Sequence, residues 1–292
     1  MTLLLALTAT TAIAGDFVYD GTVVKLHAPG VGVVWPLDVA IIGVTGTAFF
    51  TLDPLAPRRT DRVFDPPDSY NPHWNPGAAI PSDFFGHPLK FHSEALFTNG
   101  PALSVLGMGI TGGVMGGDVR SGIADGLLVV ESITTTGALS VSGKHFFNAP
   151  RPITSTEFQE AFPKEWASEE VQQKYGPDDD YEAFKSFPSG HTASAGAAYF
   201  SAATLLWMHT GDRKPNATFW IAEGTAAALT ATTGALRVHY GVHTVADVTA
   251  GGLLGGTIGF VIPVLHGGFD PDRQANTRLE PTENGVALKG FW

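Results

Sequence analysis

Apolar residues in this chain gather in long runs instead of alternating with polar ones. Six runs stand out, at roughly 31–51, 101–117, 122–140, 192–209, 217–236 and 244–263. Runs of about 17–21 residues are too long for strands and predict helices. The pattern therefore predicts an all-α fold, a bundle of about six core helices. Two stretches interrupt it. Asp53 to Gly100 is rich in Pro, Asp, Asn and aromatic residues, as in Asp65-Pro66-Pro67 and Asn71-Pro72-His73-Trp74-Asn75-Pro76, and predicts turns and irregular structure. It reads either as a cap over a site or as a long ordered connection. Residues 153–186 are acidic and include Asp178-Asp179-Asp180, while Thr154 with Glu157 fits a capping box that would start a short surface helix.

The length of the apolar runs is compatible with crossing a bilayer, but their content is not typical of it. Asp38, Glu131 and Glu223 fall inside them, Thr, Ala and Gly outnumber large aliphatics in several, and the mean hydropathy of the chain is only +0.10. Lys and Arg show no one-sided excess across the loops. These features favour a bundle that is soluble or peripheral, with an integral form as the alternative. Leu3 to Ala14 is apolar and ends in Ala12-Ile13-Ala14 before Gly15-Asp16, a small-x-small pattern that reads as a signal peptide over residues 1–14 and implies export to the periplasm, the cell envelope or the medium. The usual basic residue near the start is missing, so a buried or membrane N-terminal helix is the competing reading. Residues 15–292 then form one domain. Near its end, Gly251, Gly255 and Gly259, with Gly252 and Gly256, predict a helix that packs closely on a neighbour within the same chain.

Charge narrows the partners. The chain has 17 basic and 28 acidic residues, a formal net charge of −11, which argues against nucleic-acid binding and against attraction to an anionic membrane. It has no cysteine, which excludes disulfides and thiolate chemistry. Any site for a phosphate must therefore gather its cations locally, against the overall field.

Three short islands do this. Lys144 is followed by Arg151-Pro152; then come Pro188-Ser189-Gly190-His191; then Arg237, His243 and Asp247. A phosphate, or the trigonal-bipyramidal phosphorus formed during its transfer, carries charge on three equatorial oxygens that preorganised cationic donors stabilise. Lys144, Arg151 and Arg237 supply three such cations, and an arginine fork can hold two oxygens at once. Ser189 adds a hydroxyl, and Gly190 lets the main chain approach a ligand. An Ala-rich helix over Thr192 to His209 would place Ser189 to His191 at its N-terminus, where anions are favoured. His243 and Asp247 are four apart, so the carboxylate can accept from one ring nitrogen and leave the other as a nucleophile. His191 can protonate the departing alkoxide and later take a proton from water.

In this order the islands resemble the type 2 phosphatidic acid phosphatase (PAP2) superfamily, which also includes bacterial class A acid phosphatases and vanadium-dependent haloperoxidases. The resemblance covers roughly residues 120–262 and implies a PAP2/haloperoxidase-like helical fold. It also implies roles: Lys144, Arg151, Ser189, Gly190 and Arg237 as phosphate binders, His191 as acid/base, His243 as nucleophile and Asp247 as its partner. Ala149 and Leu236 stand where many members carry Arg and Ser. The implied function is a metal-independent phosphatase that hydrolyses phosphate monoesters through a phosphohistidine and needs no cofactor, with vanadate as an inhibitor. Its substrate would be a phosphorylated lipid or a small soluble ester; association with a membrane and the oligomeric state are left open.

Two other functions compete with it. A haloperoxidase would hold vanadate as a cofactor in the same cradle, and Phe184 is an aromatic of the kind such enzymes use near halide. Their usual Trp before the first Lys is replaced by Val141, and they are generally much larger. A non-catalytic phosphate-binding protein is disfavoured because every catalytic position is filled. Among the remaining candidates, His239 and His243 have the spacing of a metal pair but no third ligand, so no metal is expected there. His145 reads as packing beside the site, His87 and His92 as loop histidines, and Glu131 and Glu223 as partners for neighbouring helices.

Overall fold

The long apolar runs fold as helices in a computed structural model that describes residues 35–52, 87–116, 119–154, 169–175, 182–210 and 214–267, with short strand segments between 18 and 33, at 83–84 and between 278 and 289, and the single positions 159, 160, 163 and 167. The expected signal segment 1–14, Glu157, the run Asp178–Asp180 and most of the Pro-rich stretch lie outside the described residues. Seven α-helices are present among the described residues: α1 Trp35–Leu52, α2 Leu89–Gly116, α3 Val119–Phe147, α4 Glu169–Tyr175, α5 Gly190–Met208, α6 Ala217–His239 and α7 Val245–Gly267. Four two-stranded antiparallel ladders accompany them, β1 Val18–Tyr19 with β2 Thr22–Val23, β3 Leu26–Ala28 with β4 Val31–Val33, β5 Asp83–Phe84 with β6 His87–Pro88, and β7 Arg278–Thr282 with β8 Gly285–Lys289. No ladder among the described residues extends beyond two strands, so the architecture is an all-α bundle.

Alanine and glycine set its spacing. Ala193, Ala195, Ala197 and Ala198 on α5 are completely buried, and α5 packs against α2, α3, α6 and α7 at the centre of the bundle. On α7, a Cβ at Gly255 would overlap the carbonyl oxygen of Ala193, and at Gly251 and Gly259 it would lie 2.5 Å from those of Ser189 and Ala197. Both series advance by four residues, so one face of α7 lies directly on the backbone of α5. The glycine pattern is thus an intramolecular contact. Around it, Met108, Ala124, Leu128, Val129, Ala198, Leu205 and Ile262 from α2, α3, α5 and α7 form the main apolar core.

One expectation needs correction. α2 starts at Leu89 and carries Pro101 in its interior, whereas the Pro-rich stretch was expected to stay irregular to Gly100. The lost backbone bond at a helical proline is local, while the contacts that hold this turn are tertiary. Tyr199 on α5 donates its hydroxyl to the Leu96 carbonyl at 2.9 Å, and Gly100 leaves the room it passes through. Thr154 ends a 3₁₀ turn over Pro152–Thr154 and donates to the Arg151 carbonyl at 2.7 Å; the capping partner expected for it, Glu157, lies outside the described residues. The described helix of the acidic insertion is α4, whose Val171 and Tyr175 pack on Ile153 and Val242 beneath the residues that carry His243.

Candidate active site

The three islands meet where α3 ends, α5 begins and α6 turns into α7. Asn148, at φ 47°, reverses the chain just after α3, a conformation asparagine tolerates better than most residues. The return strand is then pinned by main-chain bonds: Arg151 N–H to the Ala183 carbonyl at 2.8 Å and Ser186 N–H to that of Ala149 at 3.0 Å. Ser189 N–H reaches the Asp247 carbonyl at 3.0 Å and ties the second island to the third. Gly143 and Gly190 leave the clearance this convergence requires. A Cβ on Gly143 would lie 2.8 Å from Pro188 Cδ, and one on Gly190 would lie 3.3 Å from Lys144 Nζ.

Arg151 is buried and held on three sides. Its Nε donates to the Glu182 carbonyl (2.7 Å), Nη2 to the Glu182 carboxylate (2.9 Å), and Nη1 to both the Val242 carbonyl and His243 Nε2, each at 3.1 Å. A guanidinium can only donate, so His243 Nε2 is an unprotonated lone pair and its proton sits on Nδ1. Nδ1 lies 3.5 Å from Ser186 Oγ and 3.7 Å from Asp247 Oδ2. His243 precedes α7 instead of sharing a helical face with Asp247, and the direct bond expected between them is not made. Asp247 Oδ2 accepts from the Ser186 hydroxyl (2.5 Å) and from Thr244 N–H (2.7 Å), while Asp247 N–H donates back to Thr244 Oγ1 (3.1 Å). Asp247 therefore caps α7 and reaches the imidazole by way of Ser186.

His191 lies in the first turn of α5, its ring 4.1 Å from that of Phe97 and tilted by 39°. Ser189 is the buried N-cap, with Oγ 3.0 Å from Thr192 Oγ1, and Arg237 is buried in the last turn of α6. Burial depresses His191 far below the usual histidine range, and Arg237, His243, Lys144 and Arg151 add to this. Burial likewise depresses His243, reinforced by Arg151, Arg237 and Lys144 and opposed by its bond to the Ser186 main chain. Both rings are neutral at neutral pH, while three cations bear on them.

A pH test follows with a definite sign. Because folded His243 has a depressed pKa, the unfolded chain takes up a proton that the folded chain refuses. This stability is fully present above the unfolded value near 6.5 and is lost as pH falls toward the folded one, at about 1.4 kcal/mol per pH unit. Urea denaturation at several pH values should show wild type losing more stability below pH ~6.5 than His243→Asn, whose side chain does not titrate. Parallel losses would remove this coupling.

Three contributors were not foreseen. Phe97 lies in the segment expected to be irregular, Glu182 in the acidic insertion, where no residue was singled out as a partner for Arg151, and Ser186 three residues before the motif serine. Only Ser186 carried a signal, its nearness to Ser189. His145 donates from Nε2 to the Leu52 carbonyl at 2.6 Å and so anchors α1 to α3, in keeping with a packing role. His239 ends α6, and Gly241 at φ 76° turns the chain before His243, so the two do not pair across a helix.

These contacts fit a class of helical proteins that hold a phosphate-like anion over an unprotonated imidazole. The family model of the PAP2 superfamily matches residues 125–269, a segment running from α3 to the end of α7 that contains all three islands, and through it the chain belongs to that superfamily. Membership supports phosphatase-type activity on a phosphorylated substrate. No curated protein and no solved structure matches the chain.

Proposed function

We propose that the chain is a metal-independent phosphomonoesterase acting through a phosphohistidine at His243. The observation that carries the reading is the 3.1 Å contact of Arg151 Nη1 with His243 Nε2 in a fully buried ring, which makes that nitrogen the unprotonated one. Lys144, Arg151 and Arg237, with the main chain at Ser189 and Gly190, would hold the phosphate oxygens. Nε2 attacks phosphorus, the P–O bond to the alcohol breaks, and His191 delivers a proton to the leaving oxygen. Nδ1–H, through Ser186 and Asp247, stabilises the cationic ring that forms. Water, losing its proton to His191, then attacks phosphorus, and the P–N bond electrons return to His243.

His191 is depressed in the free site, so its proton must arrive with the substrate. A phosphate monoester cancels the cations that disfavour imidazolium. On this reading His191→Ala should lower turnover of alkyl phosphates by about 10²-fold or more while affecting p-nitrophenyl phosphate much less, because only a poor leaving group needs protonation. Steady-state rates on both esters check this; equal losses would contradict the acid role.

The substrate proposed is a lipid phosphate or a small soluble phosphate ester handled by an exported protein of one domain. α7 over Val245–His266 is long and apolar enough to cross a bilayer, and Leu106, Ile110 and Val114 on α2, Trp220 and Ile221 on α6, and Leu253 on α7 are exposed. These apolar surfaces support association with lipid.

A further inference from the structure

At the far end of the bundle, Asp38 on α1, Glu131 on α3 and His266 on α7 bring one potential ligand atom each to within 4.8 Å of one another. Helix rise places His266 about 30 Å along α7 from Asp247, and Glu131 about 20 Å along α3 from Lys144. The cluster is therefore separate from the phosphate site. Both carboxylates are more than nine-tenths buried.

Its hydrogen bonds leave two buried carboxylate oxygens without a partner among the described residues. His266 Nδ1–H donates to the Ile262 carbonyl at 2.8 Å, which leaves Nε2 as the inward-facing nitrogen. Nε2 faces Asp38 Oδ1 at 2.9 Å and Glu131 Oε2 at 3.8 Å. A neutral ring would set a lone pair against two carboxylates. A protonated ring would satisfy Asp38 Oδ1 and offset one negative charge; burial pushes Glu131 up to about 7, so its carboxyl must take either a proton or a cation. Asp38 Oδ2 and Glu131 Oε2 have no hydrogen-bond partner among the described residues. Buried carboxylate oxygens in that state are costly unless a proton or a cation is supplied.

We propose that Asp38, Glu131 and His266 form a binding site for one divalent transition-metal ion that ties α1 to α3 and α7. One imidazole nitrogen and two carboxylates are a donor set that first-row divalent ions accept, zinc among them. The Nδ1–H bond to a main-chain carbonyl is the arrangement that orients a ligating histidine. Side-chain shifts of about 1 Å or less would bring all three donors within roughly 2.0–2.2 Å of one ion. The ion takes no part in phosphate chemistry; it joins a helix outside the family segment, α1, to two helices within that segment.

The test uses the full chain stripped with EDTA and titrated with Co²⁺ as a spectroscopic probe, followed by Zn²⁺. The expected result is one equivalent of Co²⁺ with ligand-field absorption bands, displacement by Zn²⁺, and a higher melting temperature with either ion. Asp38→Asn and Glu131→Gln should each weaken Co²⁺ binding at least about tenfold. Wild type showing neither bands nor a rise in melting temperature overturns the proposal and leaves a proton shared among the three groups. Binding unchanged in both variants overturns it too, by placing the ion elsewhere. If either variant fails to fold, anomalous scattering from Co²⁺-soaked wild-type crystals decides: a peak between the three side chains supports the site, and a peak elsewhere or none overturns it.

Discussion

His243→Ala loses turnover by about 10⁴-fold or more while keeping the fold. The size of the loss follows from what the variant lacks: the nitrogen proposed to form the covalent bond, in an otherwise intact cradle. Binding and electrostatic stabilisation survive such a change, so residual hydrolysis by direct water attack sets the floor. The fold should survive because the convergence rests on main-chain bonds: Arg151 to Ala183, Ser186 to Ala149 and Ser189 to Asp247. Arg151 also keeps Glu182 and the Val242 carbonyl as partners. The cavity and the lost bond should cost about 1–3 kcal/mol. Steady-state hydrolysis beside a thermal melt separates the two effects; a variant that retains more than a tenth of wild-type turnover would remove His243 as nucleophile.

Gly255→Ala should destabilise the protein by more than about 2 kcal/mol, although alanine is intrinsically the better helix former by about 1 kcal/mol. The added methyl meets the Ala193 carbonyl, a backbone atom that cannot rotate away, so α5 and α7 must separate along the face where Gly251 and Gly259 also rest. Gly224 is the control. It lies on the exposed face of α6 with nothing within 4 Å of where an added methyl would sit, so Gly224→Ala should stabilise by about 0.5–1 kcal/mol. Urea denaturation of the two variants should therefore move in opposite directions. Stabilisation by both would mean that helix propensity, not backbone contact, decides the effect.

Much of this was legible in the sequence because it depends on local pattern. Six apolar runs correspond to α1, α2, α3, α5, α6 and α7, and the glycine series announced the α5–α7 contact. The motif residues lie around one site because each sits at a helix end or a turn whose position a short stretch of sequence determines. Features that depend on tertiary contact were hidden. The first three turns of α2 are held by Tyr199, more than a hundred residues away, and with them comes Phe97 against His191. Ser186 stands between His243 and Asp247 only because the third island turns before α7 begins. Asp38 and His266 meet across 228 residues, a separation at which no spacing rule operates.

The most direct test of the central claim is the stereochemical course at phosphorus, followed with an isotopically chiral phosphate ester and transfer to an alcohol acceptor. Two in-line displacements, first by His243 and then by the acceptor, predict retention of configuration. Inversion would mean a single direct displacement and would contradict the phosphohistidine.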